Sequence, residues 1–132
     1  DSNISSLIKN MEPILHKGAY VFCTLPEISS ELLQNCIMLF KKEESFTLIL
    51  EKQYADVVSI NYNYVSAWIT LKVYSSLEAT GFTAAFSSVL SNEGISCNVI
   101  AAYHHDHVFV AFNDGEKAIK ALQNFSNQFK ST

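Results

Sequence analysis

The sequence predicts an α+β protein in which helices cover one face of antiparallel sheets. Apolar residues make up 48% of the chain and charged residues 17%, a balance typical of globular domains. Residues 64–74 alternate between apolar and polar types, as expected of a strand covered on one side. Residues 82–90 and 117–129 repeat apolar residues every three or four positions, which indicates amphipathic helices. A chain of 132 residues can fill one ordinary core or two small lobes.

The first half of the chain predicts the order helix, strand, strand, strand, helix. Its strands are rich in β-branched and aromatic residues, and its helices carry apolar residues at helical spacing. Residues 27–35 fit either a loop or a short helix. The predicted elements are a helix over 4–15, a strand over 20–25, a hairpin of 36–42 with 46–50, and a helix over 51–60.

The second half predicts the order strand, helix, strand, strand, helix. The first helix ends before Gly94, and Asn113 or Asp114 can cap the second. The two later strands, 95–103 and 107–112, form a hairpin.

With both helices on one face, this order is a ferredoxin-like arrangement that lacks its last strand. The strand near Val21 could fill that position. A polar break at Asn61-Tyr62-Asn63 predicts two lobes in tandem, residues 1–62 and 63–132.

Charge and composition argue against several classes of partner. The net charge is −4 and no Lys/Arg-rich run is present, so we expect no nucleic-acid partner. No apolar stretch approaches the roughly 20 residues that span a bilayer, and residues 1–10 lack the pattern of a signal peptide, so we expect no membrane partner. Cys23, Cys36 and Cys97 are scattered among apolar neighbours, which is typical of reduced packing residues in a cytoplasmic protein.

The second half resembles the ACT domain family over residues 78–86 and 93–100. In that family an acidic residue and a Pro-Gly pair open the first helix, and Gly-Ile precedes the second strand. Here Glu78 and Gly81 match, whereas Thr80 stands at the proline position. The whole chain is also similar to small bacterial proteins of unassigned function, in which a degenerate ACT-like lobe (here 1–62) precedes a clearer one (63–132).

The resemblance implies a regulatory module without catalytic residues or cofactor, which binds a small ligand, an amino acid, where two ACT lobes meet. A homo-oligomer is the assembly expected of it. The ligand-binding residues it implies are Ser75, Ser76, Leu77, Glu78, Thr80, Gly81, Cys97, Asn98 and Val99. A helix N-terminus suits a ligand carboxylate, because its N–H groups are unpaired and its dipole is positive there.

Two alternatives remain beside ligand binding at these residues. Ser75, Ser76 and Thr80 could only cap the helix, with Gly81 permitting a tight turn. The chain could also be an assembly module without a ligand, in which sheet edges pair and exposed aromatic residues such as Trp68 and Tyr74 form the interface.

The histidines His104, His105 and His107, with Asp106 among them, are candidates for a metal site or for a polar hairpin tip. Neighbouring side chains of an extended strand point to opposite faces, which argues against a shared metal. We therefore favour the polar tip, expect no metal, and expect His16 to be solvated. No nucleophile elbow, phosphate-binding glycine loop or paired-cysteine motif is present, so no catalytic residue is predicted.

Overall fold

The computed structural model of the chain describes residues 3–74 and 81–130. Single strands or pairs of strands alternate with helices along these residues, with a 3-10 turn at Phe112–Asp114 before the last helix. The strands are β1 (Glu12–Leu15), β2 (Tyr20–Leu25), β3 (Met38–Lys41), β4 (Phe46–Glu51), β5 (Tyr64–Lys72), β6 (Cys97–Ala101) and β7 (Asp106–Ala111). The helices are α1 (Ile4–Asn10), α2 (Ser30–Asn35), α3 (Lys52–Val57), α4 (Phe82–Asn92) and α5 (Gly115–Lys130).

Residue contacts divide the chain into two packing units. We call Lys17–Ser66 the central unit, and Asp1–His16 together with Ala67–Thr132 the composite unit. The division falls within β5, so that strand contributes its first residues to one unit and its remainder to the other. The division by contacts differs in kind from the predicted division of the sequence into lobes 1–62 and 63–132. That boundary between residues 62 and 63 stays a prediction.

The central unit has the order strand, helix, strand, strand, helix, strand, and its strands lie in the order β3-β4-β2-β5. All three neighbouring pairs are antiparallel: Leu39 faces Leu48, Val21 faces Leu50, and Val65 faces Val21. One face of this sheet carries the core residues Val21, Cys23, Leu48 and Leu50, which pack with Ala55 of α3. Ser29 caps α2 by accepting a hydrogen bond from the Leu32 amide at 3.1 Å.

The composite unit has its strands in the order β1-β5-β7-β6. Alternate residues of β5 and β7 point into one apolar core. Helices α1, α4 and α5 cover that face with their own apolar side chains. The core includes Ile69, Leu71, Val108 and Val110 from the strands, and Leu7, Phe82, Phe86, Leu90, Ala118 and Leu122 from the helices.

The helix predicted over residues 4–15 is wrong in its second half. It ends at Asn10, and residues 12–15 form β1 instead. Pro13 explains the change, because proline has no N–H to donate and its ring clashes with the preceding turn. In β1, Pro13 lies opposite Leu71 of β5 and Leu15 opposite Ile69.

The last strand of the composite sheet therefore comes from the start of the chain. Strand β1 pairs antiparallel with β5, whereas β2, the strand near Val21, pairs with β4 and the first residues of β5 in the central unit. The expectation that the strand near Val21 completes the sheet of the second half is therefore wrong. The preceding strand, β1, takes that position. With β1 in place, each unit has the complete strand set of a ferredoxin-like fold.

The predicted fold class is confirmed: antiparallel strands carry helices on one face in two ferredoxin-like units. The two hairpins, the strand at 64–72 and the helices α4 and α5 lie where the sequence patterns predict them. The ambiguous segment 27–35 contains the short helix α2. Among the described residues, no helix combines the length and the apolar character needed to cross a membrane.

Candidate functional site

Most of the predicted ligand-binding loop lies outside the described residues. Ser75, Ser76, Leu77, Glu78 and Thr80 belong to this part, whereas Gly81 is described. Gly81 is the N-cap of α4 and has a φ of 89°, a left-handed conformation that favours glycine. A Cβ atom at this position would lie 3.1 Å from Cδ1 of Ile4, so the backbone approaches α1 closely.

The other predicted binding residues, Cys97, Asn98 and Val99, lie on β6 and point to different faces. Cys97 and Val99 are partly buried and pack against the helix-covered core. Asn98 is exposed on the opposite face of the sheet, where it lies opposite Phe109 of β7. Of the three side chains, only the Asn98 amide is therefore placed to meet a polar ligand on that face.

Within the composite unit, Asn98 and Tyr74, the last described residue before the predicted loop, lie toward opposite ends of the sheet. Strand β5 ends beside the start of β7, as shown by the 3.0 Å contact of His105 Nδ1 with the Val73 carbonyl. Strand β6 begins at the other end, because Cys97 pairs with Val110. Asn98 pairs with Phe109 across the β6–β7 ladder, and the Phe109 ring stacks on the ring of Trp68. Tyr74, after which the loop begins, lies six residues beyond Trp68, about 20 Å away at the rise of an extended chain.

Aromatic and histidine side chains cluster where β5 ends. Tyr74 is 69% exposed and Tyr103 is 75% exposed. The ring of Tyr74 lies 5.3 Å from that of His104 and 5.0 Å from that of His105. The hairpin turn is centred on Tyr103 and His104, one residue earlier than predicted, and it is closed by the Ala102 amide, which donates to the His105 carbonyl at 3.0 Å. This cluster borders the predicted ligand loop, and neither tyrosine is among the residues predicted for the site.

The four residues His104 to His107 do not act as one group. Asp106 opens β7 with only 7% exposure, and burial raises the pKa of its carboxyl, although nearby His105 opposes the shift. His107 points to the opposite face of the strand. Within residues 3–74 and 81–130, no three His, Cys, Asp or Glu side chains lie close enough together to hold a metal ion.

His107 belongs to a second cluster, on the sheet face away from the helices. Its Nδ1 lies 3.1 Å from the indole Nε1 of Trp68 and 3.0 Å from Thr70 Oγ1. Thr70 Oγ1 also lies 2.7 Å from Nε2 of His16. The His16 ring stacks on Trp68 with 3.6 Å between ring centroids and 14° between planes. We call these four residues, His16, Trp68, Thr70 and His107, the histidine–indole cluster.

Burial lowers the pKa of His16. It also lowers the pKa of His107, and the positive charges that His105 and His16 can carry add to that effect. The prediction that His16 is solvated is therefore wrong: the side chain is half-buried between a stacking and a hydrogen-bonding partner. Trp68, predicted as an exposed interface residue, is likewise half-buried.

Part of this cluster could be predicted from the sequence. Pro13 interrupts the apparent helix, and a strand over 12–15 places Ile14 and His16 on one face. The side chains that this face contacts depend on pairing between strands far apart in the sequence. His16 and Thr70, for example, are 54 positions apart. A single sequence does not specify that register.

Comparisons with known proteins agree with this architecture. Residues 1–67 match one ACT domain model and residues 63–124 match another. A search of curated proteins finds no match.

Solved structures with the same fold include one at substantial sequence identity. A protein of unknown function from Vibrio cholerae, described as a possible transport protein, is 41% identical over 92% of this chain and 94% of its own, with a TM-score of 0.82. A protein from Agobacterium tumefaciens is 18% identical over 88% of this chain and 89% of its own, with a TM-score of 0.65. The ligand-free regulatory subunit of aspartate kinase from Thermus thermophilus is 10% identical over 88% of this chain and 96% of its own, with a TM-score of 0.63.

The last two likenesses show the fold alone, whereas the family models account for both halves of the sequence. ACT domains are in general regulatory and non-catalytic, and they typically bind small molecules. The tandem matches therefore support a regulatory, ligand-binding module. The chain belongs to the ACT domain family.

Proposed function

We propose that this chain is a non-catalytic regulatory module that binds an amino acid through the loop at residues 75–81 and through strand β6. The observation that carries the proposal is the tandem match to ACT domain models over residues 1–67 and 63–124. The proposed setting is the cytoplasm of a bacterium, with the protein working as a homo-oligomer and without nucleic-acid or membrane partners.

The chemistry of the described residues suits an amino acid. Gly81, the N-cap of helix α4, has no side chain to cap the first turn. The N–H groups of that turn have no partner within the helix and lie at its positive end, so they favour a carboxylate. The Asn98 side-chain carbonyl could accept a hydrogen bond from the ligand ammonium.

The separation of the two parts bears on where the ligand sits. Asn98 lies beside Phe109 and Trp68, about 20 Å of extended chain from Tyr74 at the start of the loop, and this distance exceeds the length of an amino acid. We therefore propose that the loop of one chain and β6 of a second copy contribute to each site, in agreement with the expected homo-oligomer.

A thermal-melt screen against the twenty amino acids tests this function. A ligand at 100 times its dissociation constant adds about 2.7 kcal/mol of stability, which for a domain of this size raises the midpoint by roughly 8–15 °C. We expect such a rise with one or two L-amino acids and none with their D-enantiomers, which serve as matched controls. A flat panel would contradict amino-acid binding.

Exposed apolar residues of the central unit favour assembly without ligand as a second candidate function. Strand β3 is the outer strand of that unit, and its Phe40 is 62% exposed. Leu33 of the neighbouring helix α2 is 57% exposed. Exposed apolar side chains beside an unpaired strand edge suit pairing between subunits.

Sedimentation of a charged variant tests the assembly function. We expect Phe40→Glu to shift the protein to a smaller species, because a carboxylate buried between subunits is costly. Val57→Glu is the matched control, since Val57 is 77% exposed on α3, and we expect its sedimentation to be unchanged. A wild-type protein that sediments as a monomer at all concentrations would rule out this function.

A further inference from the structure

The histidine–indole cluster links His16, just after β1, to β5 and β7 by side-chain contacts. His16 directly follows β1, and its amide donates to the Trp68 carbonyl of β5 at 2.9 Å. Its ring adds the stack on Trp68 and the 2.7 Å contact with Thr70. His16 is also the last residue of the N-terminal segment that belongs to the composite unit. The cluster therefore fixes the position at which the chain leaves this unit.

The protonation state of His107 follows from its partners. An indole N–H can only donate, so His107 Nδ1 must carry a lone pair where it meets Trp68. His107 is then neutral, with its proton on Nε2. Thr70 can bridge to His16 in this state, because its hydroxyl both donates and accepts.

Protonation of His107 changes this arrangement at one atom. The added proton sits on Nδ1, so the imidazolium N–H faces the indole N–H. The new N–H can donate to Thr70 Oγ1, but Nδ1 no longer accepts from the indole, and the contact between His107 and Trp68 becomes one between two donors. His16 differs, since a protonated Nε2 can still donate to Thr70 and a cation stacked on an indole is favourable. His107 is thus the residue at which the cluster is sensitive to protons.

We propose that the histidine–indole cluster is a proton-sensitive clamp that holds the end of β1 on β5 while His107 is neutral and loosens it when His107 is protonated. The lowered pKa of His107 supports the neutral state at pH 7. Because burial holds the pKa of His107 in the folded chain below its ordinary value of about 6.5, this contribution to stability is complete above about pH 6.5 and is lost as the pH falls below it.

Few charged groups lie near His107 to oppose this behaviour. Across from it, β6 presents the apolar Ile100, and Asp106 lies on the other face of β7. Glu12 and Lys72 face each other further along β1 and β5, so that their charges offset one another. Among residues 3–74 and 81–130, the titratable groups nearest to it on its own face are His16 beyond Thr70, His105 in the preceding turn, and the Glu12–Lys72 pair.

The test uses the fact that the chain has one tryptophan. Emission of Trp68 and hydrogen exchange of the His16 amide, corrected for the intrinsic rate, are followed from pH 8 to pH 4.5. We expect the emission to change and the amide to lose protection with one shared midpoint below pH 6.5. In His107→Gln, whose amide oxygen can accept the indole N–H at every pH, we expect the His16 amide to stay protected throughout.

His104→Gln is the matched control, because His104 lies on the exposed turn, and we expect it to behave as the wild type. Loss of protection in His107→Gln at the wild-type midpoint, or an amide that stays protected in the wild type, would overturn the clamp. If His107→Gln fails to fold, nitrogen NMR of the wild-type imidazoles decides instead. An unprotonated Nδ1 on His107 at pH 7.5 supports the proposal, and a protonated one overturns it.

Discussion

Replacing Gly81 with aspartate is expected to remove amino-acid binding while leaving the chain folded. The new carboxylate would occupy the N–H groups at the start of α4 and repel the carboxylate of the ligand. We expect affinity to fall at least 100-fold, about 2.7 kcal/mol, so the thermal shift found in the ligand screen disappears. Calorimetric titration with the identified ligand measures the loss.

The matched control for this variant is Gly94→Asp. Gly94 also has a left-handed φ, 75°, and a Cβ there would meet nothing within 4 Å. Both variants carry the same added charge and a similar backbone cost of about 1 kcal/mol, but Gly94 lies just beyond the C-terminal end of α4. Equal ligand affinity in the Gly81 variant and the wild type would place the site elsewhere.

Replacing Phe86 with alanine is expected to produce the largest loss of stability. Its side chain is fully buried at the centre of the composite core, and its ring meets that of Phe82 edge-to-face at 5.2 Å. Truncating a buried phenylalanine removes its transfer free energy and leaves a cavity, which together cost about 3–5 kcal/mol. Urea denaturation followed by circular dichroism measures the change in the free energy of unfolding.

Phe112→Ala provides the comparison for this variant, because Phe112 is 48% exposed. Its cost should stay below about 1 kcal/mol. If Phe86→Ala and Phe112→Ala lower the free energy of unfolding equally, Phe86 of α4 is not at the centre of the composite core.

The sequence predicts most of this fold because each long element buries one face. Alternation in β5 and the helical spacing in α4 and α5 follow directly from the core they share. The helix predicted over residues 4–15 is too long for the same reason, since Leu15 continues the helical spacing of the apolar residues Ile4, Leu7, Ile8 and Met11. Leu15 instead packs against the core from a strand whose partner, β5, lies more than fifty residues away.

The candidate site is less predictable than the fold. Gly81 stands out in the sequence, and its left-handed φ agrees with the role of a glycine at the start of a helix. Cys97, Asn98 and Val99 form one contiguous stretch, yet the pleat of β6 sends Asn98 to one face and its two neighbours to the other. The prediction of a solvated His16 is wrong because its environment depends on the register between β1 and β5, which local patterns do not encode.

The origin of β1 has a consequence for how the chain folds as it is synthesised. The central unit is a continuous stretch, so its contacts can form once Ser66 has left the ribosome. Strand β1 emerges earlier but must wait for β5, and the carbonyls of Lys9 and Met11 receive the Ser126 hydroxyl only after α5 has been made. Until then Leu7, Ile8 and Met11 lack their native partners and remain open to misassociation or to a chaperone.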